Sequence, residues 1–441
     1  MKFLSILIAL FVTGMVHAQD NLLQNGPMKG YIDMKETVIW VQTTKPAEVY
    51  IKYYPQSSPD ESHFSNKVQT NYFQALTAHL YADTLEPGTT YLYEIYVDGQ
   101  KVKLPYSAEF TTQKNWKWRT DPPAFKFAMG SGAYINEPAY DRLGKPYGGN
   151  YEIYEYIADK KPDFFIWLGD NVYMREPDWN TKAGIFHRYT HDRATPEMQR
   201  LLATSHHHAI LDDHDFGPND SDRSFWNKNT TEEAFKLFWG NPSYGVGNIK
   251  GAITSFNWAD CAFFMLDNRY YRTPNYRIED EKTELGEEQL QWLFDNLVYS
   301  RSTFKFVVMG GQFLSNSPMY ESYSNHGFES ERRRIINFIY KQNIKNVIFL
   351  TGDVHFSEIT VLKKRGKPTI WDITSSPLNS GPNTKADKQP NTLRIPGSVI
   401  MKRNFAVLEV TGKRKKRKLH IAYYDVKGQL LYEYVIKPER Y

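Results

Sequence analysis

The spacing of hydrophobic positions changes rhythm once along the chain. From about Asn21 to Gln113, apolar residues alternate or run together over short stretches rich in β-branched and aromatic side chains: Thr37 to Gln42, Ala47 to Tyr53 and Tyr91 to Val97. Turn chemistry separates them, as at Glu86-Pro87-Gly88 and Asp98-Gly99. Short strands at this spacing predict an all-β sandwich over residues 20–113. After a linker from Trp116 to Pro123, apolar strands alternate with helical stretches. Strands are expected at Phe125–Met129, Asp163–Leu168, Ala262–Leu266, Phe304–Met309 and Val347–Leu350, and amphipathic helices at Gly286–Tyr299 and Glu329–Lys341. This pattern predicts an α/β domain over 120–441 whose sheet is covered on both faces, with ligands gathering at the strand C-terminal ends. Two further strands, Phe405–Val410 and Leu419–Tyr424, are expected to complete a sheet edge.

The N-terminus reads as an export signal. Lys2 precedes an apolar run from Phe3 to Val16, and His17-Ala18 before Gln19-Asp20 fits a cleavage site, so residues 1–18 are assigned as a signal peptide. That implies a secreted or periplasmic protein. The run is too short to span a bilayer, and no later stretch reaches about 20 apolar residues, so no transmembrane segment is expected after cleavage. A lone cysteine, Cys261, excludes an internal disulfide framework and reads as a small core residue. Stability must come from burial, for which 31 Tyr, 26 Phe and 10 Trp supply large areas. A net charge of +4 argues against a nucleic-acid-binding module without repelling an anionic substrate. The basic run Lys413 to Lys418 sits between strand-like segments and reads as a solvated hairpin tip.

Three polar clusters end apolar strands. In Gly169-Asp170-Asn171-Val172-Tyr173, a buried strand runs straight into a carboxylate that either bridges cations or caps the next helix. In Asp212-Asp213-His214-Asp215, four consecutive ionisable residues follow an apolar entry; burying them unpaired would cost several kcal/mol each, which favours a site over a solvated surface. In Gly352-Asp353-Val354-His355, the carboxylate and imidazole alternate, so on an extended backbone both face one side. His206-His207-His208 resembles a metal cluster, but adjacent positions on a strand point in opposite directions, which favours a structural or surface role. Arg269 either reaches a phosphate oxygen or pairs with Asp267, and Gln312 is an open possibility as an oxygen ligand or a support to one.

Together these blocks resemble the PhoD-like branch of the calcineurin-like metallophosphoesterases, which carries Gly-Asp-x-x-Tyr, Asp-Asp-His-Asp/Glu and Gly-Asp-x-His motifs. The resemblance spans about Phe125 to Ser376 and includes Leu266 to Arg272 and Gly310-Gly311-Gln312. Separately, Leu85 to Tyr93 with Phe110-Thr111-Thr112 looks like part of a fibronectin type III-like domain. The resemblance implies a four-layer α/β metallophosphoesterase sandwich preceded by an Ig/fibronectin-like domain. It implies two or more metal ions, calcium with ferric iron or another transition metal in its place, and a small phosphate-ester or phospholipid-type substrate. Carried over by position, Asp170 would bridge the metals, Tyr173 and His355 would join it at the first, and Asp213 and Asp353 would hold the second. His214 would assist the leaving group. One position departs from the branch: Gly130-Ser131-Gly132 stands where the branch has Gly-Ser-Cys, so the cysteine ligand to iron is missing. An altered metal preference is the favoured consequence. The competing readings are a degenerate binding or scaffold protein and an adhesion or glycan-binding protein built on the N-terminal region. No Gly-x-Ser-x-Gly elbow is present to support ester hydrolysis by a serine nucleophile.

Overall fold

Phe164–Leu168 is apolar at all five positions because both of its faces are covered, and the same holds for Cys261–Met265, Phe304–Val308 and Val347–Thr351, whose residues are all buried. These strands are the parallel centres of two sheets in a computed structural model that describes residues 22–106, 108–278, 281–318 and 322–439. The segment read as a signal peptide lies outside the described residues.

One sheet has six strands. Thr254–Trp258 and Glu358–Leu362 pair antiparallel at its edges, and Cys261–Met265, Phe304–Val308, Val347–Thr351 and Ile370–Thr374 run parallel between them. The other has nine. Phe125–Gly130, Phe164–Leu168 and His206–Ile210 are parallel neighbours at its centre. The inner faces meet in one core that includes Phe127, Phe164, Phe263 and Phe306, where Phe127 and Phe164 stack at 5.0 Å and Phe263 and Phe306 at 4.8 Å. On the outer faces, Glu287–Tyr299 and Glu329–Lys341 cover the six-stranded sheet through Leu290, Leu293, Ile335 and Ile339, and helices carrying Ile153, Tyr189, Leu201 and Phe235 cover the other. The result is helix–sheet–sheet–helix, the four-layer arrangement expected.

Two features of the long sheet differ from the sequence expectation. Asn404–Thr411 is not at an edge: it pairs antiparallel with Phe125–Gly130, followed by Lys418–Asp425, and the edge is a further strand, Leu430–Ile436. That strand alternates poorly, with Leu430 and Val435 both about half exposed, which hid it from the pattern. At the other end, Leu23–Ile32 pairs parallel with His206–Ile210, and Thr37–Thr43 and Thr77–Ala82 extend the sheet outward. The N-terminal all-β region thus shares a sheet with the α/β domain. Its second, smaller sheet is built on Glu48–Pro55 and Thr90–Val97. There Tyr91 closes a tyrosine corner: its hydroxyl accepts the Glu86 N–H at 2.8 Å.

The basic run turns between Asn404–Thr411 and Lys418–Asp425, as a hairpin tip should, but Arg417 folds inward to pair with Asp260 at 2.8 Å. The three histidines are not at the surface. His206 Nδ1 lies 2.8 Å from the Gly30 carbonyl; His207 accepts from Trp167 Nε1 at 2.9 Å and so donates Nε2–H to the Leu201 carbonyl at 3.0 Å. His208 stacks on Phe256 at 3.8 Å between the sheets, with no hydrogen-bond partner for either ring nitrogen among the described residues. Burial lowers the His208 pKa to about 3. Because the unfolded imidazole titrates near 6.5, the unfolded chain binds the extra proton, and stability is lost as pH falls from there toward 3. His208→Phe should remove that loss. Between pH 7 and pH 4 its unfolding free energy, measured in denaturant, should decline less than the wild type's by on the order of 3 kcal/mol. Parallel declines would refute the assignment.

Candidate active site

The three polar clusters converge because the strands that carry them end at the same side of the sandwich. Glycines permit the approach. A Cβ on Gly169, which has φ +83°, would lie 2.5 Å from Asp212 Cβ, and one on Gly310 would lie 2.4 Å from Asp212 Cγ. Gly352 lets its loop pass the Ser131 side chain, where a Cβ would meet Oγ at 2.5 Å.

Ligand-capable atoms of Asp170, Asp213 and His214 lie within 4.8 Å of one another, and so do those of Asp212, Asp213 and Asp353. Asp213 belongs to both sets. Asp170 is buried, accepts from the Tyr173 hydroxyl at 3.0 Å on one oxygen, and has no partner for the other among the described residues. Burial, and then the charges of Asp213, Asp212 and Asp353, push its pKa well above the carboxylate range. A buried oxygen aimed into a group of carboxylates is the donor set of a hard cation. The residues present therefore fit metal ions.

Asp353 and His355 come together by a different route from the one expected. Both have left-handed backbone, φ +69° and +58°, so the segment after Val347–Thr351 is a coil rather than an extended strand. The Asp353 N–H bonds Ser131 Oγ at 3.0 Å and the His355 N–H bonds Ser376 Oγ at 3.1 Å, which holds this backbone. His355 Nδ1 lies 2.7 Å from the Gly381 carbonyl, so its proton sits there and Nε2 presents a lone pair 3.1 Å from the Tyr173 hydroxyl. Burial lowers the His355 pKa to about 4, which keeps the ring neutral.

The four-residue block divides its labour. Asp213 and His214 face a cleft of about 530 Å³ together with Asp170, Asp353 and His355. His214 packs on the Tyr173 ring at 4.2 Å. Asp215 turns inward and accepts the N–H groups of Asp212 at 2.9 Å and Asn171 at 3.0 Å, completing a capping box on the short helix Asp213–Phe216. Asp212 is fully buried and receives Arg269 Nε at 2.5 Å and Asn268 Nδ2 at 2.9 Å.

Arg269 consequently does not line the cleft. Its buried guanidinium binds Asp212 and approaches Asp213 at 3.8 Å, while Asp267, the alternative partner, accepts the backbone N–H groups of Arg269, Tyr270 and Ala252. Gln312 donates to Glu358 and Thr374 and belongs to the packing of the six-stranded sheet. Gly132 has φ +76°, and a Cβ there would meet Ser380 Oγ at 2.8 Å and Pro377 Cβ at 3.1 Å, so the space a side chain would need is already taken. Tyr147, Asn219, Asp220, His326 and Asn383 also line the cleft and stand in no motif. Each lies in a connecting segment, where no periodic signal marks it.

Two mixed sheets packed face to face between helices, with polar loops converging at one end, form a metallophosphoesterase fold. The structure is similar to a solved structure of PhoD (TM-score 0.76, 18% identity, covering 95% of this chain and 92% of that one) and to the purple acid phosphatase PPD1 from yellow lupin seeds (TM-score 0.66, 11% identity, 94% and 75%). Residues 127–421 match the PhoD-like phosphatase family, and the chain belongs to that family. Residues 20–115 match a domain of unknown function, DUF7800. Among curated proteins, the alkaline phosphatase D of Bacillus subtilis (strain 168) is 26% identical over 376 residues, which is 73% of this chain; the match covers 61% of the length of that relative. No helix among the described residues is long and apolar enough to cross a membrane.

Proposed function

We propose that this chain is an exported, metal-dependent phosphoesterase that hydrolyses phosphate diesters. The observation that carries the reading is the carboxylate cluster of the buried Asp170, Asp212 and Asp213 with the half-buried Asp353, which supplies ligand-capable atoms to two groups that share Asp213, the atoms of each lying within 4.8 Å of one another. Asp170, Tyr173 and His355 would hold one cation and Asp213 and Asp353 a second, with calcium at the all-oxygen position and iron or another transition metal at the first. When bound, such cations neutralise phosphoryl charge and acidify an attacking water.

The chain's own groups account for the remainder. His355 is fixed as a neutral nitrogen donor by the Gly381 carbonyl. His214, stacked on Tyr173 at the cleft wall, is placed to protonate or stabilise the departing oxygen. Arg269 holds Asp212, next to the cleft-facing Asp213, from beneath. Diesters are favoured over monoesters because the cleft, among the described residues, is lined by carboxylates, imidazoles, amides and one phenol but by no lysine or arginine. A monoanionic diester needs less compensating charge than a dianionic monoester. The apolar run before residue 19 supports export. Gly132 offers no donor where the resemblance implies a thiolate, which favours a metal pair other than one tuned by sulfur.

The test is turnover of bis-p-nitrophenyl phosphate by purified protein, stripped with chelator and restored with calcium, iron, manganese or zinc. Activity should vanish on stripping, return with particular cations, and exceed that toward p-nitrophenyl phosphate. Folded, metal-loaded protein that turns over neither ester would instead support a degenerate binding role.

A further inference from the structure

Tyr147 reaches the cleft from a loop that no motif marks, and the loop is held at both ends. Upstream, the Asp141 carboxylate accepts from Arg175 Nη2 at 2.8 Å, from the Tyr134 hydroxyl at 2.9 Å and from the Glu137 N–H at 2.7 Å. Downstream, one guanidinium ties three strings: Arg403 donates to the Tyr147 carbonyl at 3.0 Å, to Asn150 Oδ1 at 2.7 Å and to the Ser380 carbonyl at 2.9 Å. The Gly149 N–H adds a bond to the Asn379 carbonyl at 3.0 Å. Residues 142–146 between these anchors are exposed.

The ring itself is wedged. It meets Tyr134 edge-on at 5.0 Å, and Gly381 leaves it room, since a Cβ there would lie 2.6 Å from Tyr147 Cε2. Its hydroxyl lies 2.9 Å from His355 Nδ1. Yet Tyr147 is 43% exposed, whereas Tyr173, 6.4 Å away, is 4% exposed. An aromatic face held this firmly and still open to the cleft is a preorganised contact surface. The Tyr173 ring lies 6.4 Å from that of Tyr147 and 4.2 Å from that of His214, and Tyr147 and His214 line the same cleft.

We infer that Tyr147 is a specificity-determining residue that packs against the ester group retained on phosphorus, opposite in role to His214 at the departing oxygen, and that Arg403 is its positioning residue. The inference rests on the diesterase reading and gives it a preference: a flat or extended apolar retained group is bound better than a methyl.

The experiment compares kcat/KM for phenyl p-nitrophenyl phosphate and methyl p-nitrophenyl phosphate in metal-loaded wild type, Tyr147→Phe and Tyr147→Ala, with bound metal counted by elemental analysis. The leaving group is the same in both substrates, so their ratio reports the retained group. Wild type should favour the phenyl ester and Tyr147→Phe should keep that ratio. Tyr147→Ala should lower it about tenfold, through KM, at unchanged metal content. Equal losses on both esters, an unchanged ratio, or loss of metal from Tyr147→Ala would each overturn the assignment. Absence of turnover by wild type on either ester would overturn the phosphoesterase reading and the inference with it.

Discussion

Asp170→Asn is expected to lower phosphodiester turnover by on the order of a thousandfold or more while making the metal-free protein more resistant to unfolding. The two halves have one cause. Asp170 is buried beside Asp213, Asp212 and Asp353, and its charged form is disfavoured first by desolvation and then by those neighbours. The amide keeps the size and can still accept from Tyr173, but removes a charge that metal-free protein has to accommodate. With chelator present, the melting temperature of the variant should therefore exceed that of wild type. With cations added the order should reverse, because wild type gains binding free energy that the variant has largely lost. A variant that melts lower under both conditions would show that Asp170 is a structural cap and not part of a cation site.

The second large effect concerns the floor of the site. Arg269→Met should cost about 3–5 kcal/mol in folding stability, with or without metal, because it strands Asp212 as an uncompensated buried charge. Methionine fills most of the volume, so a cavity does not explain the loss. The diagnostic is the double variant: Arg269→Met with Asp212→Asn should recover a large part of the stability, since the stranded charge is gone. Denaturant unfolding of the four proteins measures the coupling directly. Additive losses would mean that the guanidinium acts through packing alone.

The features that the sequence made legible share a physical signature. Strands buried on both faces announce themselves as uninterrupted apolar runs, and Phe164–Leu168 or Val347–Thr351 could hardly be read otherwise. The helices Glu287–Tyr299 and Glu329–Lys341 follow from amphipathic spacing, and the polar residues that end the strands mark the cleft. What the sequence concealed depends on long-range contact. Nothing local says that Asp212 is a buried anchor while its neighbour Asp213 faces the cleft; that is decided by Arg269, 57 positions away. The left-handed turns at Asp353 and His355 defeat an argument from strand alternation, because side-chain hydroxyls of Ser131 and Ser376 stabilise a coil there. Tyr147 carries no signal, since its place is set by Arg403, 256 positions later.

The shared sheet has a consequence for how the molecule is divided. Leu23–Ile32 is the strand beside His206–Ile210, and His206–Ile210 leads directly into Asp212 and Asp213. The N-terminal region is thus not a bead that can be clipped from a string. A cut at the apparent linker would strip one flank from the strand that delivers the acidic block and leave its backbone open to foreign chains. Designers who wish to swap or delete the leading module should place the seam inside it, keeping Leu23–Ile32, Thr37–Thr43 and Thr77–Ala82 with the α/β body and treating only the small outer sheet as exchangeable.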